Sequence, residues 1–572
     1  MPPPQASSTD NAMDADAVRV PLMLVVALTM AYAALIPLAI IITIIFRLRN
    51  VGRRPKNYPP GPPTLPIIGN LHQIPPKNQH VQFKKWSEEY GPIYSLILGT
   101  KVMIVLSSDR AVKDLLDKRS GIYSSRSEFY LGNLVSGYLR VVLMEYGETW
   151  RMIRKIVHSV LHINASKGYV PYQDLESKQM LCGILDQPQF FIDHIRRFTN
   201  SLTTQMVFGF RTIDIHDEDL KKLYHCVEKW SDVMASSAAA TLEVFPILRK
   251  LPDFMLPMRR YAQELHKEEK IFQGKSRQIP VSMQYQKTNP EQPCACVEIV
   301  EGQKAYGFSD DLAGYICGSL HEAGSDTTAA TLTGFVQAMV LYPEVQKKAQ
   351  SELDRVCGNN RLPTIDDWDA MPYIRACIKE NLRWMPTTIT GFPHCVIQDD
   401  EYMGYKIPKG AGVMLNVWAL NMDANRYSNP RAFDPSRYEG DDQTSAEAAM
   451  NGDASKRDHF NFGAGRRVCQ GMHIADRSLF LSISRLLWAF NIEKGVDSRG
   501  VEIVPDPEDL TGGILMQPSP FPAKITPRSK THEGAIRRAW DDCQPLLDDT
   551  KQWKEVPDGM VFKTHMPSEL KD

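Results

Sequence analysis

Residues 462–471 read FGAGRRVCQG, and this run constrains the chain more than any other. Its spacing is Phe-x-x-Gly-x-Arg-x-Cys-x-Gly. The chain holds 21 Phe, 35 Gly and 10 Cys in 572 residues. At ordinary arginine usage, chance supplies this spacing in roughly one chain in ten thousand of such length. Gly463, Gly465 and Gly471 admit backbone conformations and close approaches closed to other residues. An apolar helix is predicted over 478–490, so Cys469 stands just before a helix start. Free N–H groups and the helix dipole stabilise a thiolate there, and Arg467 adds positive charge. The competing reading is a buried structural cysteine in a glycine-rich turn, and the spacing weighs against it. The cysteines are sparse and irregular, which argues against a disulfide scaffold and for a reducing compartment. A single cysteine used as a metal ligand stays open.

The N-terminal region imposes a second constraint. Residues 20–46 carry no charge over 27 positions, enough for a helix of about 40 Å against a hydrocarbon core of about 30 Å. A cleaved signal peptide fits badly, because the run is long and preceded by Asp10, Asp14 and Asp16. Arg47, Arg49, Arg53, Arg54 and Lys56 follow it, which places the remainder in the cytosol and residues 1–19 in the lumen. The expected organisation is a luminal tip (1–19), a transmembrane helix (20–46), a basic and proline-rich hinge (47–70), a catalytic body (71–530) and a polar C-terminal extension (531–572).

Within the body, apolar residues recur at three- and four-residue steps over 81–90, 108–118, 148–161, 190–207, 217–237, 258–273, 309–340, 347–356 and 373–384, which predicts helices. Alternating β-like runs lie at 93–98, 102–106, 402–407 and 413–416. The fold class expected is mainly α with small β-sheets (α+β). Segment 441–458 is small, polar and acidic, and reads as a flexible surface loop. Lys+Arg is 66 and Asp+Glu 67, so no basic excess exists to hold a nucleic acid. No phosphate-binding glycine loop stands between a strand and a helix.

The ten-residue run resembles the haem-binding loop of the cytochrome P450 family. That resemblance implies Cys469 as the axial ligand of the iron of haem b (iron protoporphyrin IX), with Phe462 in the same loop. Three further segments agree. Glu380 and Arg383, one helical turn apart, match the family's Glu-x-x-Arg. Arg437, in Phe433-Asp434-Pro435-Ser436-Arg437, is implied to close a structural triad with them. The run 323–328, AGSDTT, resembles the oxygen-activation motif. There Gly324 is expected to let the helix open a groove, Thr327 to hold a water and Asp326 to relay protons. Trp150 and Arg154, with Arg467 and His394, are implied to bind haem propionates, for which the planar guanidinium fork suits. The resemblance runs from the anchor and the proline-rich hinge to about residue 522 and is nearest in texture to filamentous-fungal members of natural-product pathways.

The resemblance implies a membrane-anchored monooxygenase of the endoplasmic reticulum. It would insert one atom of O2 into a lipophilic intermediate (polyketide, terpenoid or alkaloid). NADPH-cytochrome P450 reductase would supply electrons, since this chain shows no flavin or NADPH module. By family position, Cys317, Leu320, Ala323, Thr387 and Ile514, with segment 123–138, would meet the substrate. The alternatives are an isomerase or dehydratase on the same site, or a non-catalytic haem-binding membrane protein.

Overall fold

The computed structural model describes residues 50–273 and 294–557, with isolated positions between 28 and 43. Most of the expected transmembrane run 20–46 lies outside the described residues, as do 1–19 and 558–572. No helix among the described residues is long and apolar enough to cross a membrane.

The helices that build the site, numbered in chain order, are α1 (Gln79–Tyr90), α2 (Tyr130–Val135), α3 (Glu148–Leu161), α4 (Val170–Asp186), α5 (Phe191–Phe208), α6 (Glu218–Ala235), α7 (Pro257–Gln273), α8 (Ala295–Tyr306), α9 (Asp310–Leu341), α10 (Pro343–Cys357), α11 (Pro372–Trp384), α12 (Ser445–Ala449), α13 (Met472–Ala489) and α14 (Lys530–Asp541). The longest, α9, runs 32 residues. Its N-terminus is fixed by Ser309, whose hydroxyl accepts from the Leu312 N–H, and Asp310 and Asp311 oppose the dipole in the first turn. The main core forms where α4, α5, α9, α11 and α13 meet. Phe198, Phe335, Ile378, Trp384, Ile483 and Trp488 are all buried there. Each such side chain contributes about 1.5–3 kcal/mol by leaving water.

A five-stranded sheet takes the order β1 (Ile93–Leu98), β2 (Lys101–Leu106), β7 (Gly412–Leu415), β4 (His394–Cys395), β3 (Ser125–Arg126). β2 and β7 are parallel and the other pairs antiparallel. In the last pair Arg126 faces His394 across the ladder, which brings two distant segments to one edge. The predicted strand over 402–407 is instead a hairpin of β5 (Asp400–Tyr402) and β6 (Tyr405–Ile407). Met403 and Gly404 turn it, both at positive φ. β8 (Phe490–Lys494) pairs with β9 (Ala523–Pro527).

One expectation changes. Segment 441–458 is folded, not loose. Thr444 and Glu447 form a capping box at the start of α12, and Ala446, Ala448 and Ala449 are buried. Lys379 holds Asp441 at 2.6 Å and Asp458 at 3.1 Å, and Asp476 of α13 accepts the Ala446 N–H at 2.9 Å. Residues 531–557 of the polar C-terminal extension are docked on the body. Ile536 of α14 is in the main core, and Trp553 packs with Tyr172 of α4, ring centroids 5.7 Å apart. Segment 441–458 looked loose because it is small and polar, yet its alanines are buried.

Candidate active site

The cysteine loop is shaped by backbone contacts. The Cys469 N–H donates to the Phe462 carbonyl at 2.9 Å, and that of Gly463 to Phe460 at 2.9 Å. Gly465, at φ +64°, lies against the turn at Leu116, where a Cβ would stand 2.0 Å from the Leu116 carbonyl oxygen. Its N–H donates to Asp117 at 2.8 Å. Only glycine fits that approach and that conformation. Gly471 caps α13. Cys469 is thus two residues before the cap, near the position predicted. It is the one exposed thiol among the described residues. Burial of its surroundings pushes the thiol up, while amides of Gly471 and Met472 and the charge of Arg154 pull it down.

The structure brings Glu380, Arg383 and Arg437 together. Arg383 makes a two-pronged pair with Glu380, 2.7 and 2.6 Å, and Arg437 reaches the same carboxylate at 3.3 Å. Glu380 and Arg383 have no solvent exposure. Arg383 also donates to the carbonyls of Asn421, Pro430 and Ala432, binding α11 to the chain that leads to the cysteine loop. Asn461, one residue before Phe462, completes the tie by donating to the Leu382 carbonyl at 2.7 Å.

Trp150, Arg154 and Arg467 also converge. The Arg467 guanidinium lies 4.0 Å from the Trp150 ring centroid and that of Arg154 5.6 Å. Arg154 donates to the Val468 carbonyl beside the cysteine. Arg126, which motif spacing did not single out, is a third member. It donates to the carbonyls of Val142 and Phe392. None of these three arginines is in an ion pair among the described residues. Burial and mutual repulsion push Arg126 down to about 9 and Arg467 to about 8, and burial lowers Arg154. Poorly solvated cations without a partner are costly, so the cluster suits an anion. His394 lies at its edge and donates through Nδ1 to the Tyr123 carbonyl at 2.7 Å. Burial, Arg126 and Arg467 keep its ring neutral. A second donor at Nε2 therefore requires an anion that screens those charges.

On α9, Asp326 and Thr327 are adjacent in sequence but differ in setting. Thr327 is half-buried next to the exposed Ala323, and its hydroxyl donates to the Ala323 carbonyl at 2.7 Å. The hydroxyl oxygen can still accept. Asp326 is buried, and its carboxyl is pushed up to about 6 by burial, moderated by Arg196 and raised by Glu228. Arg196 and Glu228, with Tyr224 and Lys221, line a cleft of about 210 Å³ between α5 and α6. Gly324 corrects the sequence reading. Its missing Cβ would stand 2.7 Å from Thr203 Oγ1 of α5, and α9 is helical throughout. The glycine serves close helix packing and opens no groove.

Of the substrate-contact candidates, Leu320 is partly buried and Ala323 exposed. Ile514 and Phe392 pack in one apolar cluster with α2, α6 and α7. Thr387 is buried, its carbonyl accepting from Met516. Cys317 is a correction: it is fully buried with its sulfur 3.9 Å from that of Cys296 on α8, so it faces α8.

An open thiol beside three guanidiniums that have no ion pair among the described residues fits a guest that carries anionic groups, and haem with its carboxylates meets that requirement. Comparison with known proteins agrees. The family model described as Cytochrome P450 matches residues 59–525. The chain is 53% identical over 533 residues to the cytochrome P450 monooxygenase virE of Hypocrea virens, covering 93% of this chain and 96% of that protein. It is 53% identical over 528 residues to cytochrome P450 monooxygenase fsoB of Humicola fuscoatra, covering 91% and 96%. It is 49% identical over 531 residues to cytochrome P450 monooxygenase fogE of Aspergillus ruber, covering 92% and 98%. The chain belongs to the cytochrome P450 family. Its cofactor is haem, its reaction is that of a monooxygenase, its substrates are lipophilic and its electrons come from a redox partner.

Proposed function

We propose that this chain is a haem-thiolate monooxygenase of fungal natural-product biosynthesis. It inserts one atom of O2 into a lipophilic polyketide, terpenoid or alkaloid intermediate. Residues 20–46 anchor it in the endoplasmic reticulum membrane with the body in the cytosol, and NADPH-cytochrome P450 reductase is its electron donor. The observation that carries the reading is the trio Arg126, Arg154 and Arg467, with no carboxylate partner among the described residues, together with the open thiol of Cys469. Fungal relatives at 49–53% identity support the biosynthetic setting.

When bound, haem supplies the redox iron at which O2 is reduced and split. Cys469 would hold the iron through its sulfur, and Trp150, Arg154, Arg467 and Arg126 would hold the propionates. Apolar side chains about Ile514 and Phe392 exclude water. Thr327 accepts a hydrogen bond from a water at its hydroxyl oxygen, and Asp326 carries protons inward from the Arg196–Glu228 cleft. The experiment that tests the reading is product analysis after feeding lipophilic precursors to cells that express the chain with reductase. NADPH and O2 consumption are followed in parallel. Product with no O2 consumed would sink it.

Two outcomes follow for single residues. Because Asp326 titrates near 6, its protonated fraction falls about tenfold per pH unit above that value. Turnover limited by proton delivery is expected to decline on that limb. Asp326→Asn removes the limb and lowers turnover by roughly 100-fold, as read from pH–rate profiles of both proteins. Arg126→Leu removes one of three repelling cations. The haem-free protein is expected to keep its thermal midpoint, while haem passes to an acceptor protein about tenfold faster through the loss of a charge-assisted bond. Equal transfer rates would remove Arg126 from the propionate set.

A further inference from the structure

The segment after α14 is joined to α9 by a hydrogen-bond path that starts half-buried at Gln552 and is buried from Thr212 inward. Gln552 clamps the backbone of Arg211, accepting its N–H at 2.7 Å and donating to its carbonyl at 3.2 Å. Arg211 also donates to the Lys551 carbonyl at 2.6 Å and to Glu176 of α4 at 2.6 Å. Trp553 donates to Gln205 of α5 at 2.7 Å, and Gln205 donates to Glu176 at 2.9 Å. These bonds fix the turn that leaves α5 after Gly209.

The next residue, Thr212, transmits the constraint. Its N–H donates to Ser201 at 2.9 Å, and its hydroxyl donates to Asn200 Oδ1 at 2.7 Å. With Oδ1 so engaged, the Asn200 amide presents Nδ2 as a donor toward α9. There it meets His321 Nε2 at 2.8 Å and Ser325 Oγ at 3.4 Å. Burial holds His321 neutral, so Nε2 accepts. Ser325 adjoins Asp326 and lies two residues before Thr327. On the same face, Thr203 fills the space that Gly324 leaves. The path thus ends on the turn of α9 that bears the acid and the alcohol.

We propose that Gln552 and Trp553 are positioning residues, which set the placement of residues 323–328 of α9 through Arg211, Thr212 and Asn200. The catalytic consequence rests on the monooxygenase reading above; the mechanical coupling does not.

The test uses the full chain with haem and compares wild type with Gln552→Ala, Trp553→Phe, Thr212→Val and Thr212→Ser. Hydrogen–deuterium exchange is followed in peptides spanning 318–330, with 343–357 as reference. Gln552→Ala and Thr212→Val are expected to speed exchange over 318–330 about fivefold, the factor one lost buried hydrogen bond gives in a local opening. The 343–357 reference should not change. Thr212→Ser, which keeps the hydroxyl, should match wild type, and the Gln552→Ala/Thr212→Val double variant should exceed neither single change. With carbon monoxide as the probe on the reduced protein, the C–O infrared band should shift in both single variants. Faster exchange confined to 205–213, with 318–330 unchanged, would overturn the proposal. So would equal behaviour of Thr212→Val and Thr212→Ser. If wild type lacks the carbon monoxide signature of a thiolate-ligated haem, the monooxygenase reading fails while the exchange data still decide the coupling.

Discussion

Cys469→Ala is expected to abolish monooxygenase turnover and the red-shifted Soret band of the reduced carbon monoxide adduct, and to leave the polypeptide folded. The bonds that shape the loop are made by backbone: Cys469 N–H to Phe462, Gly463 N–H to Phe460, Gly465 N–H to Asp117. Removing an exposed sulfur disturbs none of them, and substitutions of that kind cost within about 0.5 kcal/mol. No other thiol substitutes for it. Cys226, Cys294, Cys296, Cys317, Cys377 and Cys543 are buried, and Cys182, Cys357 and Cys395 are only partly open. The arginine trio remains, so the variant should still bind haem weakly through its propionates, with a spectrum that lacks thiolate ligation. Absorbance spectra of the reduced carbon monoxide complex, beside thermal melts of the haem-free proteins, check both halves. A variant with the wild-type band would show that the iron is held elsewhere.

The chemistry of the site was legible where it depends on short spacing. The cysteine loop, the Glu380–Arg383 pair and the Trp150–Arg154 pair each fit within ten residues, and helix geometry then dictates what shares a face. Helix α3 took the predicted bounds, 148–161, because its apolar and charged residues separate cleanly around the axis. Helix α4 was not predicted. Its buried positions include Gln173, Glu176 and Ser177, whose partners Ser478, Arg197, Arg211 and Arg485 lie elsewhere in the chain, so no apolar stripe marks it. Arg126 was missed as a charge partner for a related reason. Its place depends on the β3–β4 pairing with His394, 268 positions on, which no local pattern announces. The same holds for Gly324, whose packing role appears only when Thr203 is brought beside it. Segment 441–458 misled through composition: its acidic residues are clasped by Lys379, itself almost wholly buried.

Arg383→Ala should be the most damaging change outside the cysteine loop, and its effect should fall on folding before chemistry. The substitution leaves the Glu380 carboxylate buried with only Arg437, at 3.3 Å, and the Asp434 N–H, at 2.8 Å, as partners. It also orphans the carbonyls of Asn421, Pro430 and Ala432. Breaking one side of a buried pair costs about 3–5 kcal/mol, a large part of the roughly 5–15 kcal/mol that holds a domain folded. Glu380→Gln should cost a comparable amount, because it strands Arg383 with no carboxylate. Arg437→Ala should cost less, about 1.5–3 kcal/mol, since it removes one charge-assisted bond at the margin of the cluster. The order Arg383→Ala and Glu380→Gln well below Arg437→Ala in urea midpoint is the diagnostic result. It follows from which residue ties α11 to the segment leading into the cysteine loop. If haem content fell equally in all three variants with urea midpoints unchanged, the triad would be acting on the cofactor directly, and its assignment as the lock of the fold would be withdrawn.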